Sequence, residues 1–482
     1  MGCHGQIICP TEVDMAIFHE FSGYEKKSND FTVYSGETKL DVLSCTVSAH
    51  PLNQVWPGYQ RPREQTEQSS YLSLESNGEV TLEITPARPF SNVTVRPLSK
   101  NVVPKIDGGK VTVTFTSVGQ YSVEFDDKHN VLTVFINPEK EFEIDKNSEN
   151  VIYFGAGVHR MTETICPDDN QTVFIDRGAV VYGSIMANGK KNVSIIGYGI
   201  LDNGYVERGG TGGPIAMSHS ENIKVEGITI VDSCVWSMHF AGCKNITVDN
   251  IKLIGMWRYN ADGCDFTNCD NAIIKNSYLR NFDDCIVIKG IRQDTLLPVT
   301  NILAENCVVW CDWGRCLEIG AETSAPRMEN IKFRNCDLIH GDTVMMDIQH
   351  GDRAEIENVS FEDIRVEYRN PHQQPVYQSE KDMKYENPNP DYMPPLFVVE
   401  THRTWYAVDD TIGDIRHIRF KDIQIFDNDG RIPYSKVYAE AEGTIIEDVT
   451  FENVTLNGKK LETLDEMNIF VGGDARDVRV KK

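Results

Sequence analysis

The chain has 482 residues, of which 40% are apolar and 9% aromatic, which is enough for a hydrophobic core of one large or two ordinary domains. Its 47 basic and 72 acidic residues give a net charge of −25 at pH 7. This charge argues against a protein that binds the nucleic-acid backbone, which needs a basic face, and more weakly against one that binds an anionic membrane surface. No apolar run reaches the ~18 residues of a spanning helix. We therefore expect neither nucleic acid nor membrane as a partner.

The N-terminus reads MGCHGQIICPTEVDMAIFHEF and lacks the charged region and long apolar segment of an export signal. Gln6 stands where a myristoylation motif needs Ser or Thr. The 13 cysteines are scattered and show no spacing typical of a zinc site. We expect a cytoplasmic protein with reduced thiols and with neither metal nor cofactor, unless an export signal has been removed from the chain.

The first part of the chain, residues 1–140, is rich in short segments that alternate apolar and polar residues and are separated by turn residues. This pattern predicts a small antiparallel β-sandwich domain, with a linker at Pro138–Glu141. The segments are LDVLSCTVSA, SSYLSLES, EVTLEITPA, NVTVRPLS, KVTVTFTSVG, QYSVEFDD and NVLTVFINP.

The rest of the chain, residues 141–482, contains an internal repeat. Most copies read polar-Asn-apolar, all then alternate apolar and polar residues, and most carry a second Asn, Asp or Gly at the centre. The period is roughly 23–31 residues, with one longer gap. The copies are KNVSIIGYGIL, ENIKVEGITIV, KNITVDNIKLI, DNAIIKNSYLR, TNILAENCVVW, ENIKFRNCDLI, ENVSFEDIRVE, RHIRFKDIQIF and EDVTFENVTLN.

Two short strands joined at a central turn account for each copy, because Asn, Asp and Gly tolerate the left-handed backbone of a sharp corner. The Leu frame of leucine-rich repeats is missing, and ankyrin and tetratricopeptide repeats are helical. The sequence therefore predicts an all-β protein in which a right-handed parallel β-helix, a pectin-lyase-like solenoid, follows the sandwich. Equivalent residues of adjacent coils would lie ~4.8 Å apart.

The long gap, residues 369–410, is rich in Pro and aromatic residues and would be an excursion from one coil. A loop of this length is usually functional or part of an interface. It either walls off one end of a groove or packs against the sandwich.

Three carboxylates stand out near the ends of two successive coils. Asp262 lies in the segment NADG, and Asp283 and Asp284 lie in the next coil. Aligning Cys264 with Cys285 places Asp262 directly under Asp283. Acids this close repel one another, which raises at least one pKa and keeps a proton available for glycosidic bond cleavage. The alternative is that these residues only cap β-helix corners.

The pattern Asn-x-Asp-Gly-x-Asp, followed one coil later by Asp-Asp-Cys-Ile-x-Ile-Lys, resembles glycoside hydrolase family 28, the polygalacturonase-like enzymes. AVVYGSI, IIGYGILDN and DSCVWSMHF support the resemblance. It implies an inverting hydrolase in which Asp283 is the general acid and Asp262 and Asp284 hold and activate water. It also implies that Asn260 and Lys289, which belong to the same motifs, contact the substrate.

Two departures from that family concern the substrate. Arg315 stands where the family carries the His of a Gly-His-Gly motif. Asp347 and Gln349 replace the Arg and Lys of an Arg-Ile-Lys motif that grips a substrate carboxylate. An Asp there would repel a galacturonate and could accept hydrogen bonds from a neutral sugar. We therefore expect a substrate other than plain polygalacturonate.

The architecture also resembles glycoside hydrolase family 49, the dextranase and isopullulanase group. The basis is the N-terminal sandwich together with the segment VIYFGAGVH at the start of the solenoid. This resemblance implies three catalytic Asp residues and a neutral α-glucan substrate.

Further residues are candidates for substrate binding because they lie near the acids in the coil alignment. Glu318 and Asp347 occupy equivalent positions in successive coils, where the alternative is a pair of corner carboxylates. Tryptophans stack on sugar rings but also pack at coil corners. The candidates are Trp313, Arg315, Glu318, Asp347 and His350, with Trp236, Trp257, Trp310 and His239 near them.

The favoured function is therefore an inverting glycoside hydrolase of oligo- or polysaccharides. Two alternatives are a polysaccharide lyase, which would need an Arg or Lys base, and a non-catalytic glycan-binding solenoid. The oligomeric state is left open, with a homo-oligomer among the alternatives.

Overall fold

The computed structural model of the protein describes residues 16–49, 60–208, 210–368, 392–405 and 407–481. Most of the predicted 369–410 excursion, residues 369–391, lies outside the described residues. In the described parts of the chain, helix is confined to three short 3-10 turns at Arg63–Gln65, Leu98–Lys100 and Arg292–Asp294. Over the described residues, no helix is long and apolar enough to cross a membrane.

The N-terminal region forms two β-sheets. The six-stranded sheet contains Ile17–Phe18, Leu43–Ser48, Thr66–Glu75, Val93–Arg96, Gly119–Phe125 and Asp127–Asn137. The five-stranded sheet contains Phe31–Ser35, Thr38–Lys39, Val80–Pro86, Lys105–Asp107 and Lys110–Phe115.

Apolar side chains from both sheets share one core, as expected for a sandwich. Val33 and Leu82 of the five-stranded sheet and Leu72 of the six-stranded sheet belong to this cluster. Pairing is antiparallel except between Thr66–Glu75 and Asp127–Asn137, which run parallel. The predicted antiparallel sandwich thus contains one parallel pair, which the sequence did not reveal because alternation within a strand carries no information about the direction of its neighbour.

From Val151 onward the chain winds into a solenoid with two long parallel sheets, and the predicted β-helix is confirmed. The twenty-stranded sheet is parallel apart from a terminal hairpin. Its strands are Val151–Phe154, Gly157–Arg160, Thr172–Ile175, Ala179–Tyr182, Lys191–Gly197, Ile200–Asp202, Glu221–Glu226, Thr229–Val231, Lys244–Asp249, Lys252–Ile254, Asp270–Lys275, Tyr278–Asn281, Val299–Glu305, Val308–Cys311, Arg327–His340, Glu355–Glu367, Ile415–Phe426, Ile446–Leu456, Lys459–Lys460 and Ala475–Lys481.

The ten-stranded sheet takes one strand from each coil and carries the cleft described below. Its strands are Ile185–Asn188, Ile215–Ser218, Met238–Ala241, Cys264–Thr267, Ile286–Gly290, Arg315–Thr323, Val344–His350, Phe397–Thr401, Ser435–Ala439 and Ile469–Gly473.

Identical positions of successive coils stack into ladders. The rings of Phe333, Phe361, Phe420 and Phe451 are stacked with centroids 4.8, 5.0 and 5.1 Å apart. Outside the core, an asparagine in most repeats adopts a positive φ, and in several coils it donates a side-chain hydrogen bond to the equivalent asparagine of the coil before. This ladder includes Asn192, Asn222, Asn245 and Asn271.

The sandwich packs against the twenty-stranded sheet through buried charges. Arg96 of the sandwich lies between Glu124, at 2.9 Å, and Glu367 of the solenoid. Trp310 is fully buried here, with the Arg280 guanidinium 3.8 Å from its ring centroid. Trp310 therefore belongs to this interface, which makes it a packing residue.

The aromatic ladder predicts a large cost for truncating one ring. We expect Phe361→Ala to lower the free energy of unfolding by ~3–5 kcal/mol, because it removes a ring from a fully packed position between two others. Urea denaturation followed by circular dichroism measures this. Ser360→Ala, on the neighbouring outward-facing position, is the matched control and should stay within ~0.5 kcal/mol of the wild type. An equally small effect of Phe361→Ala would contradict the ladder.

Candidate active site

The predicted acids meet in a cleft of about 240 Å³ on the outer face of the ten-stranded sheet. They lie just before the strands Cys264–Thr267 and Ile286–Gly290, while the side chains of Phe266 and Ile288 point into the core. The cleft is lined by Trp236, Tyr259, Asn260, Asp262, Asp283, Asp284, Lys289, Trp313, Arg315, Glu318, Ala321, Glu322 and Gln349.

The strand register differs by one residue from the alignment that the cysteines suggested. Cys264 pairs with Ile286 rather than with Cys285. This register brings Asp262 to the level of Asp284, and the Gly263 amide donates to the Asp284 carbonyl at 2.7 Å. The prediction that Asp262 lies directly under Asp283 was therefore wrong. Asp283 instead reaches the cleft from the corner before the strand.

Asp283 is held by backbone donors at both carboxyl oxygens. The Asn260 amide donates to Oδ2 at 3.0 Å, and the Asp284 amide donates to Oδ1 at 3.1 Å. Burial and the neighbouring carboxylates of Asp284 and Asp262 nevertheless raise the pKa of Asp283 well above its usual range. Asp283 thus holds a proton at a pH at which a free aspartate has lost it.

Asp284 has the opposite character although it is the next residue. Its burial would raise its pKa, but the Arg315 and Lys289 charges outweigh that effect and lower the pKa. The Arg315 amide donates to Asp284 Oδ1 at 3.0 Å, and the guanidinium lies 3.6 Å from the same oxygen. The two adjacent carboxyl groups therefore have pKa values shifted in opposite directions.

Lys289 lies between Asp262 and a further buried acid. Its Nζ is 3.0 Å from Asp262 Oδ2 and 3.3 Å from Asp265 Oδ1. Burial raises the pKa of Asp262 to about 7, against the lowering effect of Lys289. The pKa of Lys289 itself is raised well above its usual range, since Asp262 and Asp265 outweigh the effect of burial. Lys289 thus stays charged and fixes the position of Asp262.

Arg315 joins the acids to the next coil. Its Nε lies 3.2 Å from Asp347 Oδ2 and 3.7 Å from Glu318 Oε1. Glu318 and Asp347 pair directly in register, as their equivalent positions predicted. Burial raises the pKa of Asp347 to about 7, and burial together with Asp284 raises the pKa of Glu318 well above its usual range. The Arg315 guanidinium therefore forms ion pairs with three carboxyl groups, those of Asp284, Glu318 and Asp347.

An aromatic wall bounds the cleft beside the acids. Trp313 stacks on Phe282 with a centroid separation of 5.5 Å and meets Tyr259 edge-on at 5.1 Å. Asn260 adopts a positive φ, and its side-chain oxygen accepts from Arg208 at 2.5 Å. The predicted positions of Trp313 and Asn260 at the cleft agree with the structure.

His350 lies outside the cleft. It is fully buried, with Nδ1 2.9 Å from Thr323 Oγ1 and Nε2 3.0 Å from the Gly413 carbonyl. The prediction that His350 binds substrate was wrong, because its side chain faces the next connection rather than the groove. Trp257 is also buried, where it donates to Asp232 Oδ1 at 3.0 Å.

Three residues without a predicted role also lie in or beneath the cleft. Asp265 lies behind Lys289, and Tyr259 and Glu322 line the walls. Asp265 is the last residue of the Asn-x-Asp-Gly-x-Asp pattern and could have been found from that motif, whereas no motif marks Tyr259 or Glu322. Gln349, which the sequence marks as the replacement of a substrate-binding Lys, lines the cleft as well. Within the described residues, no cluster of three or more His, Cys, Asp and Glu is arranged to hold a metal ion.

The part of the chain that forms this cleft is similar to known glycoside hydrolases. Residues 204–394 match the sequence model of Glycosyl hydrolases family 28. The segment contains all three acids, and the predicted resemblance to that family is confirmed. A probable exopolygalacturonase B of Aspergillus fumigatus is 27% identical over 166 residues, covering 31% of this chain and 34% of the relative. An exopolygalacturonase of Cochliobolus carbonum is 29% identical over 173 residues, covering 31% and 36%. The chain thus spans about a third of the length of these relatives.

A solved structure matches the whole architecture. Dex49A from Penicillium minioluteum superposes with a TM-score of 0.62 and covers 96% of both chains at 13% identity. This likeness concerns the fold, and it confirms the predicted architectural resemblance to glycoside hydrolase family 49.

The ion pairs of Arg315 lead to a stability prediction. Arg315→Met removes the partner of three buried acids, so we expect the free energy of unfolding at pH 8 to fall by ~3–5 kcal/mol. In this variant Arg315 no longer lowers the folded-state pKa of Asp284, and the already raised pKa values of Glu318 and Asp347 rise further. The loss should therefore be small below the unfolded pKa of ~4 and should grow as the pH rises.

Urea denaturation at pH 4 and pH 8 measures this difference. The control is Arg403→Met, because Arg403 forms an exposed ion pair with Asp410 and should change stability by no more than ~1 kcal/mol at either pH. A loss for Arg315→Met that is equal at both pH values would rule out the proposed charge balance.

Proposed function

We propose that the protein is an inverting glycoside hydrolase in which Asp283 is the general acid. The observation that carries this proposal is the meeting of Asp262, Asp283 and Asp284 in one cleft, and the opposite pKa shifts of two of them support it. Asp283 is shifted toward the protonated form and Asp284 toward the ionised form. Glycosidic bond cleavage with inversion needs this pair, one acid for the leaving oxygen and one base for water.

In the proposed reaction, Asp283 donates its proton to the glycosidic oxygen as the bond to the anomeric carbon breaks. Asp284, ionised through Arg315, accepts a proton from water, and the hydroxyl adds to the opposite face of the sugar. Asp262, fixed by Lys289, lies at the level of Asp284 and orients the same water. The product then has the anomeric configuration opposite to that of the substrate.

The charges around the cleft favour a neutral sugar over a uronate. Arg315 is already held by Asp284, Glu318 and Asp347, and Lys289 is held by Asp262. A substrate carboxylate would therefore be repelled by these acids, and the positive charges of Arg315 and Lys289 are already balanced by them. The neutral amide of Gln349 lines the cleft on this side and can both donate to and accept from sugar hydroxyls.

The same charges disfavour a lyase. A lyase base must be a neutral amine or guanidine, but the pKa values of Lys289 and Arg315 are both raised well above their usual range. Burial lowers these pKa values, but the surrounding acids outweigh it. Both groups therefore stay charged and cannot accept a proton.

We expect Asp283→Asn to lower kcat by ~10²–10⁴-fold with a smaller change in KM, because it removes the proton donor and keeps the hydrogen-bonded shape. The measurement is a hydrolysis screen over isomaltooligosaccharides, aryl glycosides, rhamnogalacturonan fragments and oligogalacturonides. Proton NMR of the first anomer released gives the stereochemistry. The neutral oligosaccharides should react faster than oligogalacturonides.

Asp168→Asn is the matched control, since Asp168 is an exposed aspartate that pairs with Lys190 far from the cleft. It should retain wild-type activity. Turnover that does not depend on Asp283, or a retained anomeric configuration, would refute the assignment of the acids. An absence of turnover on every substrate would leave a glycan-binding solenoid as the better account.

The pKa shifts also predict a broad pH optimum. Activity requires Asp284 ionised, and its lowered pKa places the acid limb below the usual aspartate value of ~3.9. It also requires Asp283 protonated, so activity is lost only as the pH rises through the raised pKa of Asp283. A profile of kcat/KM from pH 3 to pH 9 measures both limbs. A basic limb near pH 4 would contradict the protonated Asp283.

A further inference from the structure

A second cavity adjoins the cleft on the outer face of the ten-stranded sheet, and we call it the tryptophan pocket. It has a volume of about 620 Å³, within the ~300–1,000 Å³ typical of small-molecule sites. Its lining includes Trp405, Trp236, His219, His239, Arg292 and Glu322. Trp236 and Glu322 also line the acid cleft, so the two cavities share a wall.

The pocket lies at the opposite end of the strands from the acids. Asp262, Asp283 and Asp284 precede their strands, whereas Gly290 and Ser218 of the pocket end theirs. A chain of sugar rings that starts at the acids and crosses the sheet would therefore enter the pocket.

Trp405 is 91% exposed, which is unusual for the largest apolar side chain. Its backbone is nevertheless anchored on both sides. The His402 amide donates to the His350 carbonyl at 2.9 Å, and Arg292 donates to the Ala407 carbonyl at 3.0 Å. These bonds hold the chain on either side of Trp405, whose exposed indole lines the pocket as a platform rather than packing as a core residue.

Trp236 supplies a second ring at the junction of the two cavities. It meets the His239 ring edge-on at 4.7 Å, and Lys289 Nζ lies 4.3 Å from its centroid. Burial lowers the pKa of His239 to about 4, so this imidazole is neutral at pH 7 and can hydrogen-bond to hydroxyl groups. The Lys289 contact ties Trp236 to the acid Asp262.

We propose that the tryptophan pocket is a glycan subsite that holds the sugar rings of the substrate remote from the scissile bond. The C–H faces of the rings would stack on Trp405 and Trp236, and the neutral imidazole of His239 would bind hydroxyls. This inference rests on the proposed function for the identity of the chain as a glycan. It makes Trp405 a residue that sets substrate length.

The test is a length series of isomaltooligosaccharides, from disaccharide to heptasaccharide, measured by isothermal titration calorimetry on the Asp283→Asn protein, which should bind without turnover. A parallel series of oligogalacturonides tests the charge preference. We expect affinity to rise with length and Trp405→Ala to weaken the longest ligands about tenfold. The shortest ligand should bind Trp405→Ala and the parent equally.

Two variants control for non-specific effects. Trp405→Phe keeps an aromatic face and should retain most of the length dependence. Leu296→Ala removes an 86% exposed apolar side chain that does not line the pocket, and it should change nothing. The subsite would be overturned if affinity did not depend on oligosaccharide length, if Trp405→Ala bound every length as tightly as the parent, or if neither oligosaccharide series bound at all.

The binding series tests the subsite and the hydrolysis screen tests the hydrolase, so either proposal can be refuted while the other stands. Length-dependent binding that requires Trp405, with no turnover by the wild type, would support the subsite and refute the hydrolase. Turnover that requires Asp283 but is unaffected by Trp405→Ala at every length would support the hydrolase and overturn the subsite.

Discussion

The in-register stacking of parallel coils is the constraint on which the rest of the structure depends. Each strand of the ten-stranded sheet pairs with the same position of the next coil, so residues one coil apart are held at the ~4.8 Å spacing of paired strands. In the core this spacing produces ladders of stacked rings such as Phe361 on Phe333. On the outer face it brings Asp262 level with Asp284 and Glu318 level with Asp347.

Carboxyl groups brought this close and buried cannot all be ionised. Two cations form ion pairs with different acids. Lys289 lies between Asp262 and Asp265, and Arg315 lies beside the acids of the next coils. The result is a set of neighbouring acids in different protonation states. Acids at equivalent positions of stacked coils thus have different pKa values, because the cations lie closer to some acids than to others.

One wall of the tryptophan pocket depends on a connection between strands rather than on the strands themselves. His350 illustrates this, since its backbone carbonyl receives the His402 amide and its imidazole holds the connection at Gly413. The segment that follows His402 carries Trp405. A histidine that does not touch the cleft therefore helps to place an indole beside it.

The repeat, the parallel solenoid and the three aspartates could be read from the sequence, because each follows from a local pattern. Alternation defines a strand, Asn at each corner defines a turn, and the family motifs mark Asp262, Asp283 and Asp284. The replacement of a uronate-binding pair by Asp347 and Gln349 was also visible in the letters alone.

Only the tertiary structure decided the one-residue shift that pairs Cys264 with Ile286, the parallel pair inside the sandwich, and the burial of His350 and Trp310. It also decided that Arg315 forms ion pairs with three acids and that Trp405 lines the same pocket as Trp236. The physical reason is the same in each case. Register, burial and the protonation of an acid depend on neighbours from other coils, and residues distant along the chain leave no local pattern to reveal those neighbours.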